Sequence, residues 1–511
     1  MSLFNIPDGD RLSKFSERQL TMEIHDLKDL NIILGTLEEA TECLLWLPQR
    51  EAFLSNVSQF GASVHIPGFL CPTLEMEWSD EDNERFSYWH VHATTVARER
   101  QIVAHLMTLP DANGFTSLSL TSMLEEDTPD LFPCSPDQIK NIFHSNVDRE
   151  LHIQNFALDE SQAVVLMEPE LPLRFKLSSC QFLSKDASIT EHCAFNEALR
   201  RRSTPIHSLS FNQSFPFLQS PYLQRHLEQF WRIAASYNVI ETLCLEDLDI
   251  TKENGFEKLS SVPLKKLVLR NCTFGIEGAG IEIIAALIHR GCLSEGLVCD
   301  GFECGLGPAW HVFGYAIANC QLSDVRLENV SNKGAALLMM GVFEMVRRND
   351  KLRHLSVGDY FNFSPDVWSC LMTAVSKHPS LQVFQVDNVH EGIPQDLPAM
   401  ALKLLAEMMQ LNRNIDVDVQ LSRYKRKLDE TGSIEGLQKF NRFSRHVRKL
   451  ATLEDLSDRL TLVGTSAVES GTNFQKLSLL IAGHVDVLVP SITDAVYDED
   501  ESSPRKRARL E

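Results

Sequence analysis

The sequence predicts an α/β repeat fold, in which short parallel strands alternate with helices. It is divided into a non-repeating region at 1–114, repeats over 115–419, a basic helical extension over 420–490 and a tail at 491–511. Three observations predict it. An LxxLxLxx spacing recurs along the chain, consecutive copies in its middle stand 28 to 31 residues apart, and the segments between them carry the apolar spacing of helices.

Residues 1–114 hold no convincing copy of the repeat. Within them 36–54 and 95–109 read as helices and 67–76 as irregular or strand. Residues 75–84 contain six acids in ten positions, but the run lacks the ligand spacing and central glycine of a calcium loop and reads as a solvated loop. His90 and His92 fall on one side of a strand with no third ligand at readable spacing, which favours a structural role over a metal site. The region is expected to cover the first edge of the repeat array, because terminal units need a polar cap.

The clearest copy places Leu264, Leu267, Leu269 and Cys272 in the form LxxLxLxxC. The spacing returns at 322–330, 352–360 and 381–389, and upstream at 240–248, 206–214 and 115–123. Weaker copies centre on Leu151, Phe175 and Leu297, and a last apolar strand on Ile415. With the central apolar residue of each copy as its anchor, the series runs Leu118, Leu151, Phe175, Leu209, Leu243, Leu267, Leu297, Val325, Leu355, Phe384 and Ile415. Between these, 332–348, 364–377 and 397–411 read as helices, with Ser364 as an N-cap and Pro365 at the first helical position. A helix between successive strands returns the chain to the same end, so the strands must be parallel.

These residues resemble the leucine-rich repeat family, and the step with a full helix is similar to its ribonuclease-inhibitor-like subclass. The resemblance covers about residues 115–419 and implies a solenoid, a curved parallel sheet with outer helices in which stacked units share one core. Ser294 and Pro172 stand where the pattern calls for leucine, and the 24-residue steps leave little room for a helix. Those departures make the Phe175 and Leu297 copies candidates for turns or loops.

Alternate residues of a strand face opposite sides, so the anchors go to the core and the residues between them to the open face. The third and fourth positions after the anchors include Glu246, Asp247, Arg270, Asp300, Glu328, Asp359 and Asp387, with Arg326 at a neighbouring first position. A net acidic face is expected, and these eight residues are the candidate partner-binding set for a basic protein partner. The same acids also suit a surface that is merely soluble.

Beyond the repeats, 423–449 carries nine basic residues against three acids, and helical 437–453 would align Arg442, Arg445 and Lys449. That patch fits nucleic acid, an anionic lipid surface or the protein's own acidic face, but it lacks interleaved aromatics for base stacking. In the tail, Arg505, Lys506, Arg507 and Arg509 are similar to a single-cluster nuclear import signal, so an import receptor and a nuclear or nucleocytoplasmic location are expected. Ser503, before Pro504, is a candidate phosphorylation site beside it.

A net charge of -22 excludes a chain that coats nucleic acid with its whole surface. No apolar run approaches 18 residues and 1–14 lacks a signal-like apolar stretch, so no membrane partner is expected. The 12 cysteines are scattered without paired metal spacing. No phosphate loop, dinucleotide fingerprint, nucleophile elbow or zinc-protease motif is present, so no enzyme, catalytic residue, cofactor or metal is expected. The expected function is a protein-interaction scaffold. The alternatives are a nucleic-acid-associated factor using 423–449, or a substrate-receptor subunit of a ubiquitin ligase with 1–114 on the ligase core.

Overall fold

The computed structural model describes residues 20–23, 43–47, 52–56, 73–79, 86–108, 116–123, 130–145, 149–168, 173–182, 194–212, 224–253, 255–275, 279–301, 309–328, 335–358, 365–386, 396–412, 415–419, 437–446, 463, 466 and 474–483. The chain divides into two compact units, Met1–Leu322 and Ser323–Glu511.

The first unit opens with strands β1 (Leu20–Glu23), β2 (Cys43–Leu47), β3 (Ala52–Asn56), β4 (Leu74–Ser79) and β5 (Phe86–Ala93), then helix α1 (Val96–Met107). Next come β6 (Ser117–Ser122), β7 (Asp130–Leu131), α2 (Pro136–Ser145), β8 (Glu150–Gln154), β9 (Phe156–Leu158) and α3 (Glu160–Met167). They are followed by β10 (Arg174–Ser178), β11 (Gln181–Phe182), α4 (Ala194–Arg200), β12 (Ile206–Asn212), α5 (Gln224–Tyr237) and β13 (Ile240–Glu246). A 3-10 turn at Phe256–Ser261, β14 (Leu264–Arg270), α6 (Ala279–His289), β15 (Leu293–Asp300) and α7 (Ala309–Ala318) complete it.

From β6 onward the large-sheet strands run β6-β8-β10-β12-β13-β14-β15, each parallel to the next. Their anchors lie side by side without a slip: Leu118 faces Leu151, then Phe175, Leu209, Leu243, Leu267 and Leu297. All seven are fully or almost fully buried. The residues two further on, from Leu120 to Cys299, are buried with them, and Phe211 meets Phe230 of α5 edge to face at 5.9 Å, so the helices cover this side. Phe175 and Leu297 therefore stand on true strands, not on turns or loops. The chain keeps the 24-residue steps by shortening the crossover to eight residues in α3 and to the six-residue 3-10 turn before β14.

Strands β8, β10, β13, β14 and β15 end in the same backbone device. Asn155, Ser179, Asp247, Asn271 and Gly301, four positions after their anchors, all have positive φ, a region that Gly, Asn and Asp enter at least cost. This turns the N–H of Asn155 to the Ser178 carbonyl, of Asp247 to that of Arg270, and of Asn271 to that of Asp300, at 2.8 to 2.9 Å. One residue later, the buried Cys180 and Cys272 thiols donate back to the Ile153 and Leu245 carbonyls at 3.2 and 3.3 Å. Burial pushes both thiols up to about 12, so they stay protonated and keep donating.

Before β6 the pairing reverses. β4 runs antiparallel to β6 with Met76 opposite Leu120, and β5 and β3 continue antiparallel beyond it. Of the helix expected over 36–54, residues 36–42 and 48–51 lie outside the described residues and the others are strands instead, because Cys43–Leu47 and Ala52–Asn56 form an antiparallel pair with Leu47 opposite Ala52. Their apolar residues are contiguous, which suits a strand, and Pro48 interrupts any helix between them. The helix expected over 95–109 is α1, capped by Thr95. Its buried Glu99 accepts the Thr73 N–H, the Thr73 hydroxyl and the Leu74 N–H, tying it to the start of β4.

The second unit repeats the scheme with β16 (Asp324–Glu328), α8 (Ala335–Arg348), β17 (His354–Val357), α9 (Pro365–Ser376), β18 (Val383–Val386), α10 (Asp396–Leu411) and β19 (Asp416–Val419). Val325, Leu355 and Phe384 again lie in register, and the residue facing Phe384 on β19 is Val417. The last anchor is thus Val417 rather than Ile415, whose apolar side chain precedes the strand and is also buried. Pro365 starts α9 as expected.

The outer edge of β19 is covered by helical residues 437–446. Gln438 donates to the Val417 carbonyl at 2.9 Å and Arg445 to the Ile415 carbonyl at 2.8 Å, while Asn441 takes the Met409 carbonyl at the end of α10. Side chains thereby occupy acceptors that would otherwise template another strand.

Gly280 exposes how tightly α6 is set against the preceding repeat, for a Cβ there would stand 1.7 Å from the Ile250 carbonyl oxygen. Gly280→Ala ordinarily gains about 1 kcal/mol in a helix interior. Here it is expected to lower the thermal midpoint of the chain, and an unchanged or raised midpoint in a calorimetric scan would contradict the packing.

Candidate partner-binding face

Opposite the anchors, the register of the first unit arranges the remaining side chains in rows that cross the strands. One row, a single position after the anchors, passes from Glu77 through Ser119, His152, Lys176, Ser210 and Cys244 to Val268 and Val298. The row two positions further on passes from Glu75 through Thr121, Gln154, Ser178, Asn212, Glu246 and Arg270 to Asp300. The face thus changes along its length from hydroxyls and imidazole to small apolar groups.

Its centre is a charge bridge. Lys176 on β10 reaches over β12 to Glu246 on β13 at 2.5 Å, and Arg270 on β14 approaches the same carboxylate at 3.9 Å. Ser210 and Cys244 are buried although they belong to this face, and Cys244 forms a small apolar cluster with Val268 and Val298. Burial raises the Cys244 thiol pKa, which keeps it protonated.

Beside the bridge, His152 lies 3.1 Å from the Ser119 hydroxyl through Nδ1 and 2.7 Å from the Ser178 hydroxyl through Nε2. Burial, with a smaller push from the Lys176 charge, lowers its pKa to about 3. A ring this weakly basic is a poor match for removing a serine proton near neutral pH, and both its neighbours are hydroxyls where a nucleophile–base pair would be oriented by a third group. The arrangement acts as a cross-strand tie.

The predicted residues take different roles. Glu246, Arg270 and Asp300 share one row of the first unit. Asp247 does not belong to the face as a strand residue does; its backbone conformation at the end of β13 explains its identity. In the second unit Arg326 is engaged by Asp324 at 3.0 Å and lies 3.1 Å from the His354 Nδ1, and Glu328 ends β16. Asp359, Asp387, Ser503, Arg505, Lys506, Arg507 and Arg509 lie outside the described residues. Of the basic patch, Arg445 reaches Asp416 at 2.6 Å and Arg442 the same carboxylate at 3.5 Å, so both serve the cover over β19, while Lys449 lies outside the described residues.

The expectation of an acidic face needs correction in the first unit. One of its two positions per strand is the strand-ending turn, Lys266 stands at a face position it leaves out, and Arg174 and Lys176 add cations on β10, a strand before the range it covers. The acidic run at 75–84 likewise begins inside β4, not in a loop, and burial raises the pKa of Glu75. His90 and His92 do share one side of β5, where His92 meets the Ser55 hydroxyl at 2.7 Å. Among the described residues no group of three His, Cys, Asp or Glu side chains converges as a metal site, and no helix is long and apolar enough to cross a membrane.

No protein-family model matches the chain, and no curated protein matches it in sequence.

His152 makes the first unit acid-sensitive. Folded, it stays neutral down to a pKa of about 3, whereas unfolded it binds a proton below about 6.5, so stability is lost as pH falls below about 6.5. Between pH 7 and pH 5 this amounts to about 2 kcal/mol. Hydrogen exchange in β6, β8 and β10, corrected for intrinsic rates, is expected to accelerate over that range, and His152→Gln is expected to remove most of the difference. Equal acceleration in both proteins would refute the assignment.

Proposed function

We propose that the chain is a non-enzymatic interaction scaffold, a leucine-rich repeat protein of the ribonuclease-inhibitor-like subclass that binds a protein partner across the open face of its parallel sheet in the nucleus. What carries the reading is the unbroken lateral register of the anchors from Leu118 to Leu297. With the core side filled by leucines and helices, that register leaves rows of differing side chains available together on the other side, which suits extended recognition. The donation from the Cys180 and Cys272 thiols to the preceding strand supports the repeat assignment, since both occupy the ninth position of their LxxLxLxx copies. Glu246, Arg270 and Asp300 are the members of the predicted binding set that this surface brings together. The tail residues Arg505, Lys506, Arg507 and Arg509 supply the import signal, and Ser503 a phosphorylation site that would weaken it.

A photo-cross-linking amino acid in place of Thr242, on the open face, is expected to capture a discrete partner in cells, while the same group at exposed Tyr237 on α5 captures none. Identical capture from both positions would sink the binding-face reading. Deleting residues 505–509 from a fluorescent fusion is expected to shift it from nucleus to cytoplasm, and an unaltered distribution would dispose of the import signal.

A further inference from the structure

On the adjacent strands β10, β12, β13 and β14, the open-face positions hold Arg174, Lys176, Lys266 and Arg270 with Glu246 as the one carboxylate. The other seven positions there are Ser178, Ser208, Ser210, Asn212, Thr242, Cys244 and Val268. In a chain of net charge -22, this is a local reversal of sign. The matched pair Glu241 and Lys265, 2.7 Å apart at the strand starts, leaves that balance unchanged. Glu150 on β8 and Asp300 on β15 frame the island on its two sides.

The central carboxylate does not neutralise it. Glu246 is taken at 2.5 Å by Lys176, and Arg270, whose side chain is 51% exposed, stands at 3.9 Å, beyond hydrogen-bond distance. Its guanidinium presents a donor fork that matches a carboxylate. Next to it lies the apolar group Cys244, Val268 and Val298, largely buried, with Val268 and Val298 each 9% exposed.

Building on the scaffold reading above, we propose that this island is the docking site for an acidic segment of the protein partner, with a carboxylate on Arg270 and an apolar side chain over Val268. Four strands span about 14 Å, and three alternate positions along each span about 13 Å, which matches an extended stretch of about four residues. The chemistry disfavours nucleic acid. A long polyanion running past the island meets Glu150, Asp300 and the acidic remainder of the protein, and the open-face positions of these strands hold no Phe, Tyr or Trp for base stacking. A short acidic segment, by contrast, gains directional pairing with Arg270 while its ends leave the island.

A random 12-residue peptide library displayed on phage and panned against the full chain tests the proposal. Selected peptides are expected to be rich in Asp and Glu beside apolar residues. As synthetic fluorescent probes they are expected to bind about tenfold more weakly to the Lys266→Glu, Arg270→Glu double variant and to weaken as salt rises. The milder Lys266→Gln, Arg270→Gln variant, whose fold is checked by circular dichroism, is expected to fall between. Neutral or basic peptides that lose binding to a Val268→Glu variant would overturn the acidic assignment yet leave partner binding on this face intact. Peptides indifferent to every one of these variants, or selection of none, would remove both. Stronger competition by a single-stranded oligonucleotide than by polyglutamate would assign the island to phosphate groups instead.

Discussion

Parallel pairing is the constraint on which the rest of this molecule depends. A strand can add to a parallel neighbour only after the chain has travelled back to the starting end, so each unit of sequence must contain both a strand and a return path. The core then follows from repetition: an anchor that matches its neighbour in position matches it in burial too, and a slip of one residue would put the whole row on the wrong side. Positive-φ residues at the strand ends defend that alignment from the backbone side, since Asn155, Ser179, Asp247 and Asn271 aim their N–H groups at carbonyls of the next strand. Return paths of unequal length, from α5 to a single 3-10 turn, are tolerated because the strand and its terminating turn carry the register.

Charge on the open face is organised by pairs as well as by local excess. Lys176 crosses a strand to reach Glu246, Lys265 is held by Glu241, and Arg326 by Asp324. The Lys265 and Arg326 pairs are partly exposed and contribute little to stability, whereas Lys176 and Glu246 are largely covered. Their consequence is positional: they fix long side chains over the sheet and decide which cations keep hydrogen-bonding capacity toward solvent. Arg270 is left with more of it than Lys176, because the nearer cation already holds the shared carboxylate.

Much of the repeat architecture was legible, and the reasons for the failures are physical. Leucine spacing exposed the anchors because burial demands apolar residues at fixed intervals, and Pro365 marked the start of α9 because proline suits that position. The end of the array was misplaced by two residues because Ile415 and Val417 are equally apolar, and only pairing with Phe384 separates them. At 43–56 the apolar residues stand in two contiguous blocks that show no period, and an antiparallel partner decides their state. Asp247 was assigned to the open face by its place four residues after the anchor, although that place is the strand-ending turn, and its tolerance of positive φ explains its identity. The bridge from Lys176 to Glu246 joins residues 70 positions apart, a relation that no local pattern encodes. Its signal was present only as charges at alternate strand positions, readable once the register was known.

The cover over β19 has an implication for how such a chain can change in length. Gln438 and Arg445 reach main-chain carbonyls, and Arg442 and Arg445 add ion pairs to Asp416, so the cover would fit the terminal strand of a similar module that keeps an acid at that place. Duplication of a module inside the array therefore preserves a closed end, whereas one appended beyond residue 446 would start from a blocked edge. Growth by internal insertion is the route this termination leaves open.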